Sequence, residues 1–108
     1  MTNIVEFGDV YISTFPFTSA REAKARPVLV LVDLGVDCLV CRITSVPHQS
    51  FLDMALINWK DAGLEKPSTI RLARLVTIEK SLLKIRIGRL STDDLNRVRT
   101  LWNEKFRI

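Results

Sequence analysis

The sequence predicts a mainly β fold, a small bent sheet or barrel with α elements, carrying one amphipathic helix near its C-terminal end. Three observations predict it. Several short runs rich in β-branched residues are separated by polar or turn-forming residues, the pattern of a small, strongly curved sheet. One of them, residues 28–32, is an unbroken Val-Leu-Val-Leu-Val run, as expected of a strand buried on both faces. Only the last segment changes to a helical period.

The elements follow in order. Val10-Tyr11-Ile12 with Phe15 reads as a first strand, ended or placed at an edge by Pro16. Residues 18–25 form a polar, charged loop. Arg26-Pro27 then opens the apolar strand at 28–32. Asp33 to Asp37 supplies turn residues, and residues 38–43 make the hairpin partner. A second polar loop, residues 44–51, precedes a short strand at 53–57. Residues 59–63 suit a single helical turn stopped by Gly63. Residues 69–78 read as a strand, with Ile70, Leu72 and Ala73 toward the core and Arg71 and Arg74 flanking it. Ile85-Arg86-Ile87-Gly88-Arg89 forms a last strand. Ser91 and Asp94 have capping-box spacing, and Asp93 and Asp94 suit the positive end of a helix dipole. Leu95, Val98, Leu101 and Trp102 then make one apolar stripe over an expected helix at 92–105.

The chain has 108 residues and is 47% hydrophobic, which suits one domain over 1–108 that closes a core without a disulfide or a structural metal. The pair Cys38-Leu-Val-Cys41 has no second cysteine or histidine pair to complete a metal site. Positions three apart on a strand face opposite ways, so both cysteines are expected to be packing residues. No basic and apolar leader is visible, and the longest apolar run, residues 27–32, is far too short to span a bilayer, so a cytoplasmic protein without a membrane partner is the expectation. Residues 1–60 carry five Lys/Arg against six Asp/Glu, whereas residues 61–108 carry eleven against six. A basic half fits a polyanionic partner such as nucleic acid, or simply a solvated surface.

The chemistry available is restricted. There is no phosphate-binding glycine loop among four glycines, no nucleophile elbow, and one histidine, His48, with scattered carboxylates that do not form a metal centre, so no metal site is expected. Basic and hydroxyl residues bordering polar loops remain.

Three stretches together resemble the MazF/PemK family of type II toxin-antitoxin toxins: Gly8-Asp9-Val10-Tyr11 leading to Phe15-Pro16-Phe17-Thr18, then Arg26-Pro27-Val28-Leu29-Val30, then Arg42-Ile43-Thr44-Ser45. Pro67-Ser68-Thr69-Ile70-Arg71, Arg74 through Ile78, and Gly88-Arg89-Leu90-Ser91 extend the likeness over nearly the whole chain. The resemblance implies an SH3-like or plasmid-toxin-like barrel with a C-terminal helix, and a homodimer. It implies an endoribonuclease that cuts single-stranded RNA at short sequences, using the ribose 2′-OH as nucleophile and leaving a cyclic phosphate, without a metal or other cofactor. It also implies a cognate antitoxin that wraps the dimer and blocks the RNA groove.

Arg26 matches the family arginine before the proline, and its permanently charged fork can hold two phosphate oxygens. Thr44 matches the family threonine after the third strand, whose hydroxyl can donate to a phosphate oxygen. Each has a plainer reading: Arg26 as an ion-pair partner of Glu22 or Asp53, Thr44 as a turn hydroxyl bonding its own backbone. Some family members carry a working arginine at the place of Arg71 and an acid two residues on, where this chain has Ala73. Others carry a glutamate five before the arginine, where this chain has Arg21 and places Glu22 one residue nearer. Glu22 is therefore the candidate base. Lys24, Ser45, His48, Arg71 and Arg74 are candidate RNA contacts, and Phe17 either stacks on a base or closes a barrel end. His48 is otherwise an exposed loop side chain, and Trp59 and Trp102 are expected to pack.

Two other functions use the same scaffold. One is a relative that binds RNA or an antitoxin without cutting, in keeping with Ala73. The other is a toxin of the same barrel family that poisons DNA gyrase through its tail, which the charged tail at 103–108 does not resemble.

Overall fold

The computed structural model describes residues 4–14 and 24–107. The element order is β1 (Asp9–Ser13), β2 (Arg26–Asp33), β3 (Asp37–Thr44), β4 (Asp53–Ala55), β5 (Thr69–Glu79), a 3-10 turn (Lys80–Leu82), β6 (Leu83–Arg89) and α1 (Thr92–Lys105). The strands form one antiparallel sheet in the order β4-β5-β3-β2-β1-β6. The helix and all six strands fall where the sequence patterns put them, with ends shifted by one or two residues; Phe15, Pro16 and most of the loop expected at 18–25 lie outside the described residues. The turn at 59–63 is a succession of i→i+3 hydrogen bonds rather than a helical turn, ended by Gly63 in the left-handed region at φ +82°.

β2 is buried on both faces, as its unbroken apolar run requires. Leu29 and Leu31 join Val10, Cys41, Ile43, Ile70 and Leu72 on the face covered by Val98 and Trp102 of the helix. Val28 and Val30 join Val5, Cys38, Val40 and Ile78 on the other face. Cys38 and Cys41 thus sit in separate clusters on opposite faces, both buried and free, as the two-residue period demands.

Two expectations are corrected. The sheet is bent but not closed: β4 and β6 are its two ends and do not pair. β4 is only three residues long, and the gap beside β6 is filled by the turn at 59–63, whose backbone lies against that of β6. A Cβ on Gly63 would stand 2.0 Å from the Ile87 carbonyl oxygen, and one on Gly88 would stand 2.4 Å from that of Ala62. Both positions need glycine for this approach. The second correction is Ala73, which is exposed rather than directed at the core. The β3–β5 register slips between Cys41, opposite Leu75, and Arg42, opposite Arg71, so residues 72–74 form a bulge in which strict alternation fails.

The helix cap differs from a reciprocal capping box. The Ser91 hydroxyl accepts from the Asp94 amide at 3.2 Å. The Asp94 carboxylate instead leaves the helix and accepts from the backbone amides of Ile57 (3.0 Å) and Asn58 (2.7 Å). A fully buried acid therefore ties α1 to the chain just after β4.

Candidate functional site

Antiparallel pairing decides which polar residues meet. Val28 lies opposite Arg42, and Arg26 and Thr44 each lie two residues beyond that pair, toward the same end of the two antiparallel strands. β1 places Ser13 beside Arg26. β5 places Arg71 beside Arg42 and Thr69 beside Thr44. β4 adds Asp53 beside Arg71. Directly opposed residues share a face of a sheet. One end of the face that carries Val28 and Val40 is therefore a polar row across five strands, built around Arg26, Arg42, Thr44 and Arg71.

A solvent-open cleft of about 510 Å³ lies at this end. Arg26 and Pro27 form one side, and residues 42–46, including Thr44 and Ser45, form the floor. Residues 63–66, with Glu65 and Lys66, make the opposite wall, next to Ile87 of β6. That wall is positioned by the close contact of Gly63 with β6 and, a few residues earlier, by the hold of Asp94 on residues 57 and 58.

The cleft is cationic, and its charges are unevenly compensated. Arg71 donates through Nε to Asp53 at 3.0 Å, and the Asp53 side chain is 1% exposed. Burial pushes the Asp53 carboxyl up, but the Ser50 hydroxyl and amide and the Arg71 guanidinium outweigh it and hold the group below its ordinary value. Among the described residues no carboxylate pairs with Arg26, Arg42 or Arg74. The Nε of Arg42 is buried without a hydrogen-bond partner. Burial, followed by the positive charges of Arg26, Arg71 and Arg74, lowers the pKa of Arg42. Thr44 is buried, and its Oγ1 accepts from the Val46 amide at 3.1 Å. The turn-hydroxyl reading of Thr44 is thus realised, and that bond fixes the oxygen at the cleft floor with its own proton left to donate.

The residues singled out from sequence divide into three groups. Arg26, Thr44 and Ser45 meet in the cleft. Arg71 and Arg74 stand around Arg42, Arg71 with its Nε committed to Asp53 and Arg74 exposed in the bulge. Asp53 is thereby the partner of Arg71, not of Arg26. Lys24 is exposed two residues before Arg26, and His48 is half-buried beyond the floor; neither forms part of the cleft wall. Glu22 and Phe17 lie outside the described residues. Sequence reasoning missed Arg42, Glu65 and Lys66 as site residues. Arg42 occupies a strand position two before Thr44, a spacing that puts both on one face and was available as a signal. Glu65 and Lys66 reach the cleft only because the turn before them folds onto β6. The groups present are guanidinium, ammonium, hydroxyl and carboxylate.

The fold matches that of known toxins. An endoribonuclease from Mycobacterial species superposes with a TM-score of 0.74 at 18% identity, over 94% of this chain and 90% of that one. An endoribonuclease in complex with its cognate antitoxin, also from Mycobacterial species, gives a TM-score of 0.76 at 17% identity, over 94% and 93%. The Mycobacterium tuberculosis toxin MazF-mt6 gives 0.69 at 23% identity, over 88% and 93%. No curated protein matches the chain by sequence. The model of the PemK-like, MazF-like toxins of type II toxin-antitoxin systems matches residues 6–104, and the chain belongs to that family.

Proposed function

We propose that this toxin is a sequence-selective endoribonuclease that cuts single-stranded RNA, with Arg26 and Thr44 as its catalytic residues. The observation that carries the reading is the convergence of Arg26, Arg42 and Thr44 on one cationic cleft in which, among the described residues, no carboxylate pairs with Arg26 or Arg42, Asp53 being taken by Arg71. A phosphodiester supplies the missing negative charge. In the reaction the ribose 2′-oxygen attacks the adjacent phosphorus, the bond from phosphorus to the 5′-oxygen breaks, and the products are a 2′,3′-cyclic phosphate and a 5′-hydroxyl. Charge grows on the non-bridging oxygens as the five-coordinate transition state forms. Arg26 meets it with a bidentate guanidinium, and Thr44 with a hydroxyl already oriented by Val46.

The proton of the 2′-hydroxyl goes to a carboxylate, and the leaving 5′-oxygen takes a proton from solvent. Glu22 is the candidate from the sequence, and Glu65 is the carboxylate of the described cleft wall. Separate Glu22→Gln and Glu65→Gln variants assign the role through the acid limb of the pH–rate profile. The same reading carries Ser45 and Lys66 as strand contacts, a homodimer, a cognate antitoxin that covers the cleft, and a cytoplasmic site of action. Among the described residues no helix is long and apolar enough to cross a membrane.

A binding-only relative is the second reading, favoured by Ala73 in the place of an acid. The test is incubation of the purified protein, in EDTA, with a mixed-sequence single-stranded RNA beside Arg26→Ala and Thr44→Ala. Cleavage with 2′,3′-cyclic phosphate ends, reduced at least ~10³-fold in Arg26→Ala, is expected from the loss of a charge-assisted phosphate contact made in the transition state. Absence of cleavage by folded wild type across diverse RNAs would favour the binding-only reading.

A further inference from the structure

We infer that Arg42 is a second phosphate-binding residue of the cleft, donating its unpartnered Nε–H to a phosphodiester oxygen of the bound strand. The inference rests on the RNA-directed reading above and adds a residue to it. Arg42 is a half-buried residue of β3, two before its last residue Thr44, on a face that a folding argument alone would give to apolar or neutral side chains. Its neighbours on the same face are Val28 and Val40, both fully buried. Directly across β5 stands Arg71, and like charges directly opposed on a sheet are unfavourable. The bulge at 72–74 adds the charge of Arg74, and β2 adds Arg26. Four guanidiniums thus gather with one ion-paired carboxylate among the described residues, Asp53, which spends its ion pair on Arg71.

The hydrogen-bond pattern points to a missing anion. Buried donors in native proteins are nearly always paired, and an orphan requires an explanation. Arg71 has its acceptor; the Nε of Arg42, at the centre of the cluster, has none. The direction of the lowered Arg42 pKa states the same conflict, a cation held where burial and three other cations disfavour it. A phosphodiester, with its single negative charge, accepts from the orphaned donor and offsets the repulsion. Arg42 lines the same cleft as Arg26 and Thr44, so the oxygen it takes belongs to the strand those two residues hold.

The test uses Arg42→Met, which keeps much of the stem and removes the charge, and Arg42→Lys, which keeps the charge and removes the planar fork. The probe is a fully 2′-O-methylated single-stranded RNA, which cannot be cut. Arg42→Met is expected to weaken binding ~10-fold or more, and to flatten the slope of log affinity against log salt by about 0.7, one phosphate contact on a single strand. Arg42→Lys is expected to keep the slope and lose part of the affinity. The free Arg42→Met protein is expected to unfold at a temperature equal to or above that of wild type, because an orphaned donor and a half-buried cation set against Arg26, Arg71 and Arg74 are gone. Unchanged affinity and slope in Arg42→Met would overturn the inference. So would a lower unfolding temperature or failure to fold, since either makes Arg42 structural. Unmodified RNA run in parallel separates the two readings. A wild type that binds but does not cut sinks the nuclease and leaves Arg42 in place. A wild type that cuts, with Arg42→Met binding and cutting equally well, sinks Arg42 alone.

Discussion

Asp94→Ala should cost far more stability than its surface-like sequence context suggests. The carboxylate is fully buried and accepts from the Ile57 amide at 3.0 Å, the Asn58 amide at 2.7 Å and Arg97 Nη1 at 2.8 Å. Hydrogen bonds to a charged acceptor contribute ~1.5–3 kcal/mol each. Arg97 is 38% exposed, so its share is small and screened. Ile57 is itself 63% exposed, so water can reach its amide once the carboxylate is gone. Two partly replaced amide bonds give a loss of about 3 kcal/mol. In a domain of this size that lowers the melting temperature by roughly 12 °C. Asp94→Asn, with one acceptor oxygen left, should lose about half as much, and Arg97→Ala less than ~1 kcal/mol. Urea unfolding of the three variants measures the series. A loss below ~1 kcal/mol in Asp94→Ala, or one equal to that of Arg97→Ala, would refute the claim that this acid ties the helix to the segment after β4. Because that segment leads into the wall at 63–66, RNA cleavage should fall in parallel with folding stability.

Gly88→Ala should lower stability by ~1–3 kcal/mol, read by thermal unfolding, because its Cβ would meet the Ala62 carbonyl oxygen at 2.4 Å and backbone cannot step aside; a melting point unchanged from wild type would mean that the turn does not close the sheet against β6. Asp33, at the opposite end of the same face, is held down to about 2 by the Lys80 side chain, then by the Gly35 and Val5 amides. Its folded pKa lies below its unfolded one, so its contribution is present above pH ~4 and is lost as pH falls toward 2. Asp33→Asn should therefore flatten the dependence of melting temperature on pH between about 4 and 2, and an unaltered acid limb would refute the assignment.

The sequence by itself determined the elements. The β-branched run at 28–32 could only be a strand with two buried faces, and it is one. The stripe of Leu95, Val98 and Trp102 defined the helix at Thr92–Lys105 because a 3.6 period cannot be satisfied in a strand. The order of Arg26-Pro27 and Thr44 along two hairpin strands already implied that they would meet. Long-range partners were not legible. Asp94 reads as a helix cap because local spacing favours that, yet its acceptors serve residues 37 and 36 positions away. Ala73 reads as a core residue because it is apolar and adjoins Leu72, and the bulge in which it stands exposed is a matter of register between β3 and β5. Asp53 could have neutralised Arg26 in any account drawn from the sequence; only the pairing of β4 with β5 gives it to Arg71, and among the described residues no carboxylate pairs with Arg26 or Arg42. Periodicity is written in neighbouring residues. Charge balance in a cleft depends on which strands lie side by side, and that is decided when the sheet assembles.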